Sequence, residues 1–106
     1  MNNHDEYLNA KKYTPNYYVY IIQCKDGTYY TGVTDNLSRR STQHKLGLGS
    51  RYTKRKGFEK IVYFEKHYKK EWAYEREQQI KEAGVVYKKM LITQFAQDLS
   101  LLDLNK

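Results

Sequence analysis

The residue of most chemical interest in this sequence is Glu77, which lies on the apolar side of a predicted helix. Hydrophobic spacing predicts that helix over about residues 69–83. Glu77 follows Ala73 by four positions and precedes Ile80 by three, so it falls on the side expected to face a sheet. Because a buried, unpaired carboxylate is costly, Glu77 must bind a cation, take up a proton, pair with Lys81, or lie at the edge of the stripe. Spacing alone leaves these alternatives open.

A second predicted helix, over about residues 36–46, places two polar side chains beside an apolar one. Leu37, Arg40 and His44 share one side of this helix, whereas Arg39 points about 100° away. On spacing alone, Arg40 is a surface cation that can reach a phosphate, and His44 is an exposed polar residue.

The residues ahead of this helix predict a β-hairpin that would position several tyrosines. Strands are predicted over residues 17–24 and 28–33, around an Asp-Gly turn. We favour a three-residue loop, Lys25–Gly27, closed by its glycine in the left-handed conformation. This loop pairs Tyr20 with Gly32.

Strand register decides which tyrosines can act together, because side chains alternate between the faces of a sheet. The three-residue loop puts Tyr18, Tyr20 and Tyr30 on one face. A two-residue Asp26–Gly27 loop would instead put Tyr20 and Tyr30 on opposite faces. Gly32, opposite Tyr20, would leave room for a substrate backbone to approach.

In order and spacing, these motifs resemble those of the GIY-YIG nuclease family. Tyr18–Tyr20 is similar to its first motif, and Tyr30–Gly32, whose tyrosine stands ten positions after Tyr20, is similar to its second. Tyr18 replaces a glycine of the family pattern and Thr31 an isoleucine. Further matches follow at Asn36–Arg40, His44, Gly47–Thr53, Ile61–Tyr63, Ala73–Lys81 and Lys88–Lys89. The likeness covers about residues 17–92 and is closest to small, stand-alone single-domain members related to the nuclease module of the excision-repair endonuclease.

The resemblance implies hydrolysis of a phosphodiester by in-line attack of water. The catalytic positions that it implies are Tyr20, Tyr30, Arg40, His44 and Glu77. Glu77 would hold Mg²⁺ or Mn²⁺, since a hard cation can be bound by one carboxylate, waters and substrate oxygens. Arg40 would stabilise developing charge and Tyr30 would position the phosphate. Tyr20, directly or with His44, would activate the water. A phenol of pKa about 10 is a poor base at neutral pH, so this role requires help from the metal or Arg40.

Positive charge is concentrated in one part of the chain. The net charge is +7, and the segment from Arg39 to Lys70 contains eleven Lys or Arg against two acids. Clustering of this kind, interleaved with aromatic residues, is typical of a surface that follows phosphates, although a merely solvated basic surface is the alternative. The residues predicted to bind nucleic acid are Arg39, Lys45, Arg51, Lys54, Arg55 and Lys56.

The remaining pattern predicts one small domain of the α/β class. Residues 1–16 are polar and patternless, which predicts a flexible N-terminal arm, and residues 17–104 are predicted to form a single domain with a C-terminal helix. A loop or short helix is expected over 47–57 and a third strand over 59–66. The predicted fold is a small three-stranded, mainly antiparallel sheet flanked by helices.

Composition favours a cytoplasmic protein. No apolar run approaches the roughly 20 residues that a membrane span needs, so no membrane association is expected. The single cysteine, Cys24, cannot form an internal disulfide.

These observations predict a metal-dependent endonuclease that cleaves DNA, in repair or in processing of branched or single-stranded DNA. The small size of the nuclease makes a protein partner for targeting part of this hypothesis. The alternatives are a catalytically inactive nucleic-acid-binding module of the same fold and an adaptor whose basic face meets an acidic protein.

Overall fold

The computed structural model describes residues 16–104, so the predicted arm lies outside the described residues except for its last position. The sheet is flanked by helices on both faces. In chain order the elements are β1 (Tyr17–Cys24), β2 (Tyr29–Thr34), α1 (Leu37–Lys45), α2 (Arg51–Lys56), β3 (Phe58–His67), α3 (Lys70–Ala83) and α4 (Val85–Leu104). All three strands and the first and third helices begin and end within one residue of their predicted bounds.

The β1–β2 hairpin has the predicted three-residue loop. The Gly27 N–H donates to the Cys24 carbonyl at 2.9 Å, and the Cys24 N–H donates to the Thr28 carbonyl at 2.8 Å. Gly27 has φ +86°, a conformation that L side chains rarely adopt. Tyr20 therefore pairs with Gly32, as predicted for a three-residue loop.

The three strands form an antiparallel sheet in the order β2-β1-β3, which confirms the predicted fold class. Central β1 is buried on both sides. Its alternate residues define two surfaces, which we call the apolar face and the tyrosine face. The apolar face comprises Val19, Ile21, Thr31, Val33 and Tyr63, and the tyrosine face comprises Tyr18, Tyr20, Ile22, Cys24, Tyr30 and Gly32.

Two capped helices cover the tyrosine face. The Asn36 side chain accepts a hydrogen bond from the Arg39 N–H at the start of α1, and the Ser50 side chain accepts one from the Thr53 N–H at the start of α2. Gly57, at φ +83°, follows the end of α2. The segment between α1 and β3, predicted as a loop or short helix, therefore contains a six-residue helix.

The other two helices pack against the apolar face. In α3, Ala73 and Ile80 are fully buried against the strands, as the hydrophobic spacing predicted. Gly84, at φ +88°, separates α3 from α4. The first half of α4 packs on this core through Tyr87, Leu91, Ile92 and Phe95. No helix within residues 16–104 is long and apolar enough to cross a membrane. That residues 17–104 act as one domain stays a prediction.

Candidate active site

The side chains predicted to be catalytic on β1, β2 and α1 interact beside β2, an edge strand of the sheet, and Glu77 of α3 acts on Tyr20 electrostatically. Tyr20 comes from β1, but its ring lies across Gly32 of β2. A Cβ built at position 32 would stand 2.5 Å from the Tyr20 hydroxyl oxygen and 2.6 Å from Cζ. Gly32 therefore makes room for the Tyr20 phenol, which corrects the expectation that this glycine makes room for a substrate backbone.

Tyr20 belongs to a hydrogen-bonded chain of four side chains, which we call the Tyr20 relay. The Tyr20 hydroxyl and His44 Nε2 are 2.9 Å apart, and His44 Nδ1 and Thr53 Oγ1 are 2.7 Å apart. Thr53 Oγ1 lies 2.8 Å from the Ser50 hydroxyl. Tyr20, His44 and Thr53 are each 1% exposed, so the contact between helices and sheet at this point is polar and nearly dry.

Burial holds the two central groups of the relay in their neutral forms. Desolvation is the main cause that raises the pKa of Tyr20 to about 12, Tyr30 and Glu77 add to the shift, and the Arg40 guanidinium opposes it. Desolvation, followed by the positive charge of Arg40, lowers the pKa of His44 to about 4. At neutral pH a phenol therefore faces an imidazole with one donor and one acceptor nitrogen.

Tyr30 is half-buried and joins the relay to the second helix. Its ring centroid lies 6.4 Å from that of Tyr20 and 5.5 Å from that of His44. On the other side, Tyr30 stacks with Tyr52 of α2 at 6.0 Å and an interplanar angle of 22°. The predicted pair of tyrosines thus shares one aromatic cluster.

Arg40 lies in a groove that wraps the edge of β2 between α1 and α3. Its Nη1 donates to Gln43 Oε1 at 3.1 Å, whereas its Nε is buried without a hydrogen-bond partner among the described residues. A buried, unpaired donor on a cation is costly, and an anionic oxygen would satisfy it. The residues that line this groove, which we call the arginine groove, are Tyr17, Val33, Thr34, Asp35, Arg39, Arg40, Gln43, Lys70 and Tyr74.

Glu77 lies on α3, one turn after Tyr74, and its side chain is 13% exposed. Its Oε1 is 3.5 Å from Nζ of Lys81, so the pairing that the sequence left open is present. The negative charge of Glu77 also acts on Tyr20, whose pKa it raises. The two groups are therefore close enough to interact electrostatically.

The donor set at Glu77 decides what kind of metal ion could bind. Residues 16–104 contain no cluster of three or more His, Cys, Asp or Glu that could enclose an ion. A single, mostly buried carboxylate fits Mg²⁺ or Mn²⁺ that takes its other ligands from water and phosphate oxygens. It does not fit a metal bound by protein ligands alone.

The six residues predicted to bind nucleic acid lie on α1 and α2, in different surroundings. Arg39 lines the arginine groove and forms an ion pair with Asp35. Lys56 pairs with Asp26 of the hairpin loop at 3.3 Å. Lys45 lies over the ring of Phe58, at 5.9 Å from its centroid, and Arg51, Lys54 and Arg55 are exposed on α2.

Two residues of this site were missed by the sequence reasoning. Thr53 binds His44 Nδ1, and Gly49 packs so closely on the His44 ring that an added Cβ would lie 2.6 Å from its Cγ. Ser50 is a residue type favoured at helix starts, and this preference could have located the turn. No local pattern indicates which ring either residue contacts.

Comparison with known proteins assigns this arrangement to a family. The sequence model of the GIY-YIG catalytic domain matches residues 16–85, from the start of β1 to the start of α4. The chain is a member of the GIY-YIG family. This is a family of nucleases, and the resemblance seen in the motifs is confirmed.

Proteins similar to this GIY-YIG member are named UPF0213. One from Clostridium perfringens is 45% identical over 76 residues, which cover 72% of this chain and 82% of the relative. One from Desulfotalea psychrophila is 40% identical over 79 residues, covering 74% and 72%. The solution NMR structure of the UPF0213 protein BH0048 from Bacillus halodurans shares 37% identity and covers 74% of this chain and 83% of that one, with a TM-score of 0.48.

Proposed function

We propose that this GIY-YIG protein is a metal-dependent endonuclease that hydrolyses phosphodiester bonds in DNA. The observation that carries the proposal is the Tyr20 relay beside Arg40 of the arginine groove, with Glu77 one turn after Tyr74 of the same groove. A phenol, an imidazole, a guanidinium and a carboxylate are the groups needed to move a proton, bind a phosphate and hold a divalent cation.

The substrate phosphate binds in the arginine groove. The buried Nε of Arg40 supplies a donor without a partner among residues 16–104, and Lys70 adds positive charge to a lining in which Arg39 is paired with Asp35. A phosphodiester oxygen satisfies that donor and benefits from the charge. The net charge of +7 favours approach of a polyanion in general.

Tyr20 and His44 move the proton of the attacking water. The Tyr20 oxygen accepts that proton while its own hydroxyl proton passes to His44 Nε2, which leaves Tyr20 neutral and His44 protonated. The His44 tautomer for this step has a bare Nε2 and an Nδ1–H that donates to Thr53 Oγ1. The negative charge of a bound phosphate favours the imidazolium, opposing the desolvation that lowers its pKa.

Charge that develops on the phosphate is stabilised by Arg40, and Tyr30 helps to position the group. When bound through Glu77, Mg²⁺ or Mn²⁺ supplies positive charge that favours departure of the leaving oxygen. Cleavage is therefore expected to require both Glu77 and a divalent cation.

The second candidate function is a nucleic-acid-binding module without catalysis. It is favoured by the burial of Tyr20 and His44, which are each 1% exposed and already hydrogen-bonded to each other. In that case the relay holds α1 and α2 on the sheet, and the arginine groove only binds phosphate.

The cellular setting belongs to the same proposal. We place the activity in the cytoplasm, in repair or in processing of branched or single-stranded DNA, with a protein partner for targeting. This placement rests on the likeness to the excision-repair nuclease module and on composition.

The test is cleavage of labelled single-stranded, duplex, flap and junction DNA in the presence of Mg²⁺, Mn²⁺ or EDTA. Wild type is compared with Glu77→Gln and with Glu75→Gln, a matched change of an exposed glutamate on the same helix. We expect metal-dependent cleavage that falls at least about 100-fold in Glu77→Gln and is unchanged in Glu75→Gln.

Two results would contradict the proposed metal dependence through Glu77. One is cleavage that persists in EDTA, and the other is equal activity of the two variants. DNA binding without cleavage by any of the three proteins would favour the binding module.

A further inference from the structure

A second groove wraps the same edge strand at its other end. It lies where the hairpin loop, α2 and the start of α4 meet, and we call it the lysine groove. Its lining residues are Gly27, Thr28, Tyr29, Tyr52, Val85, Lys88 and Lys89. None of the six basic residues predicted to bind nucleic acid lines it, and neither does any of the five predicted catalytic residues.

The two grooves lie at opposite ends of β2, with Glu77 between them along the flanking helix. The arginine groove includes Val33 and Thr34 of β2 and the first turns of α3, whereas the lysine groove includes Thr28 and residues that follow α3. A strand rises about 3.4 Å per residue, so Thr28 and Thr34 are roughly 20 Å apart. A chain molecule extended along this edge would pass the catalytic groups in the middle.

Lys88 is a cation that lacks a counter-ion in this groove. It is half-buried and forms no ion pair with any residue that the structure describes. Desolvation, followed by the positive charge of Lys81, lowers the pKa of Lys88. Lys89 adds another positive charge to the lining, so an anion placed here would stabilise both side chains.

Tyr52 gives the lysine groove an aromatic wall. It is half-buried, and it stacks on Tyr30, which in turn contacts His44 and Tyr20. Bases of single-stranded nucleic acid stack on aromatic side chains while lysines follow the phosphates. A series of rings that runs from the catalytic pair into a basic groove offers both kinds of contact.

We propose that the lysine groove binds a single-stranded segment of the polynucleotide on one side of the bond that is cleaved. Lys88 and Lys89 each bind a backbone phosphate, and an unpaired base stacks on Tyr52. The inference rests on the proposed function, because it assumes that the strand passes through the site between the two grooves. It assigns the substrate class as nucleic acid with an unpaired stretch beside the scissile phosphate.

The experiment measures binding, so that it does not depend on cleavage. Fluorescence anisotropy of a labelled 12-nucleotide single strand is recorded in EDTA at several salt concentrations. A Lys88→Glu, Lys89→Glu double variant is compared with a Lys60→Glu, Lys66→Glu double variant. The control makes the same change in net charge at exposed residues of β3, the opposite edge strand.

We expect the Lys88→Glu, Lys89→Glu protein to bind the single strand at least about 10-fold more weakly than the control. Loss of two phosphate contacts should also reduce the slope of log K against log salt by about 1.4. Tyr52→Leu should weaken binding about 5- to 150-fold, in line with the loss of one stacked base. If the double variant does not fold, Lys88→Gln with Lys89→Gln replaces it.

Binding of the Lys88→Glu, Lys89→Glu protein at the level of the control would overturn the inference. So would equal affinity of the wild type for a blunt duplex of the same length, since a duplex offers no unpaired base. Neither result bears on the proposed endonuclease activity, which is tested separately by the cleavage assay with Glu77→Gln.

Discussion

The two faces of the same sheet both bury side chains, but by different physical means. On the apolar face, Val19 and Ile21 pack against Ala73 and Ile80, and all four side chains are fully buried. On the tyrosine face, one residue further along the same strand, Tyr20 packs against polar groups that are buried to the same degree.

The difference indicates which face serves stability and which serves chemistry. Burying a hydroxyl or an imidazole costs free energy unless its hydrogen bonds are replaced, whereas burying an aliphatic side chain is favourable. The side chains of the Tyr20 relay make those hydrogen bonds to one another, so their burial costs little free energy. An apolar contact between α1 and β1 would stabilise the packing of the helix equally well. A site of proton transfer needs linked polar side chains of this kind, whereas a hydrophobic core does not need them.

The largest effect on stability is expected on the apolar face. Ile80→Ala removes a fully buried side chain and should lower the free energy of unfolding by about 2–5 kcal/mol, measured by urea titration. Cleavage per folded molecule should be unchanged, because Ile80 packs in the core cluster of the apolar face, which includes no residue of the relay. Loss of activity in excess of the loss of folded protein would show that the two faces are not separate.

The next effect is a dependence of stability on pH that belongs to the tyrosine face. The folded state holds the pKa of His44 at about 4, against about 6.5 in the unfolded chain, so the unfolded chain binds more protons between these values. The contribution of neutral His44 is complete above pH 6.5 and is lost as pH falls towards 4, a change on the order of 3 kcal/mol. A His44→Gln protein should show a flatter stability profile over this range, and an equally steep one would contradict the assignment.

Gly32→Ala should disturb the tyrosine face while leaving the sheet in place. The added methyl group would meet the phenol of Tyr20, so the ring must move away from His44, at a cost of about 1–3 kcal/mol in stability. The rate of DNA cleavage should fall far more than the amount of folded protein. Gly84→Ala is the control, because an added Cβ there meets no atom within 4 Å and acts only through backbone strain. Equal cleavage by the two variants would refute the role given to Gly32.

The smallest effect should be a gain in stability. Thr31 lies on the apolar face, is fully buried, and its Oγ1 has no hydrogen-bond partner in the described part of the chain. Thr31→Val keeps the shape and removes the unsatisfied hydroxyl, so it should stabilise the protein by about 1 kcal/mol, measured by thermal unfolding. Thr53→Val is the matched change on the tyrosine face and should destabilise, because Thr53 Oγ1 binds His44. Destabilisation by both changes would show that Thr31 has a polar role.

Much of this comparison could be predicted from local sequence. The preferred three-residue loop at the Asp-Gly turn predicted the hairpin register, and this register puts Tyr20 and Tyr30 on one face. Hydrophobic spacing likewise placed Glu77 on the inner side of α3. These predictions needed only the periods of strands and helices, which are local properties.

The contacts within the site could not be predicted in the same way. That Gly32 accommodates Tyr20, that Gly49 accommodates His44, and that Thr53 binds His44 Nδ1 all depend on how α1 and α2 pack on the sheet. Sequence also gave no indication that Lys56 would pair with Asp26, because the partners are thirty residues apart and meet only in the fold. Contacts of this kind are fixed by tertiary packing, and no periodic pattern in the sequence indicates them.

The central claim is that the Tyr20 hydroxyl serves chemistry and not only packing. Tyr20→Phe keeps the ring over Gly32 and removes one oxygen, so single-turnover cleavage and thermal unfolding of this variant separate the two roles. We predict a loss of cleavage rate of at least about 100-fold, typical of general acid–base groups, with a loss of only about 1–2 kcal/mol in stability. A protein that cleaves at the wild-type rate while losing that stability would contradict the claim and make the relay a structural element of the fold.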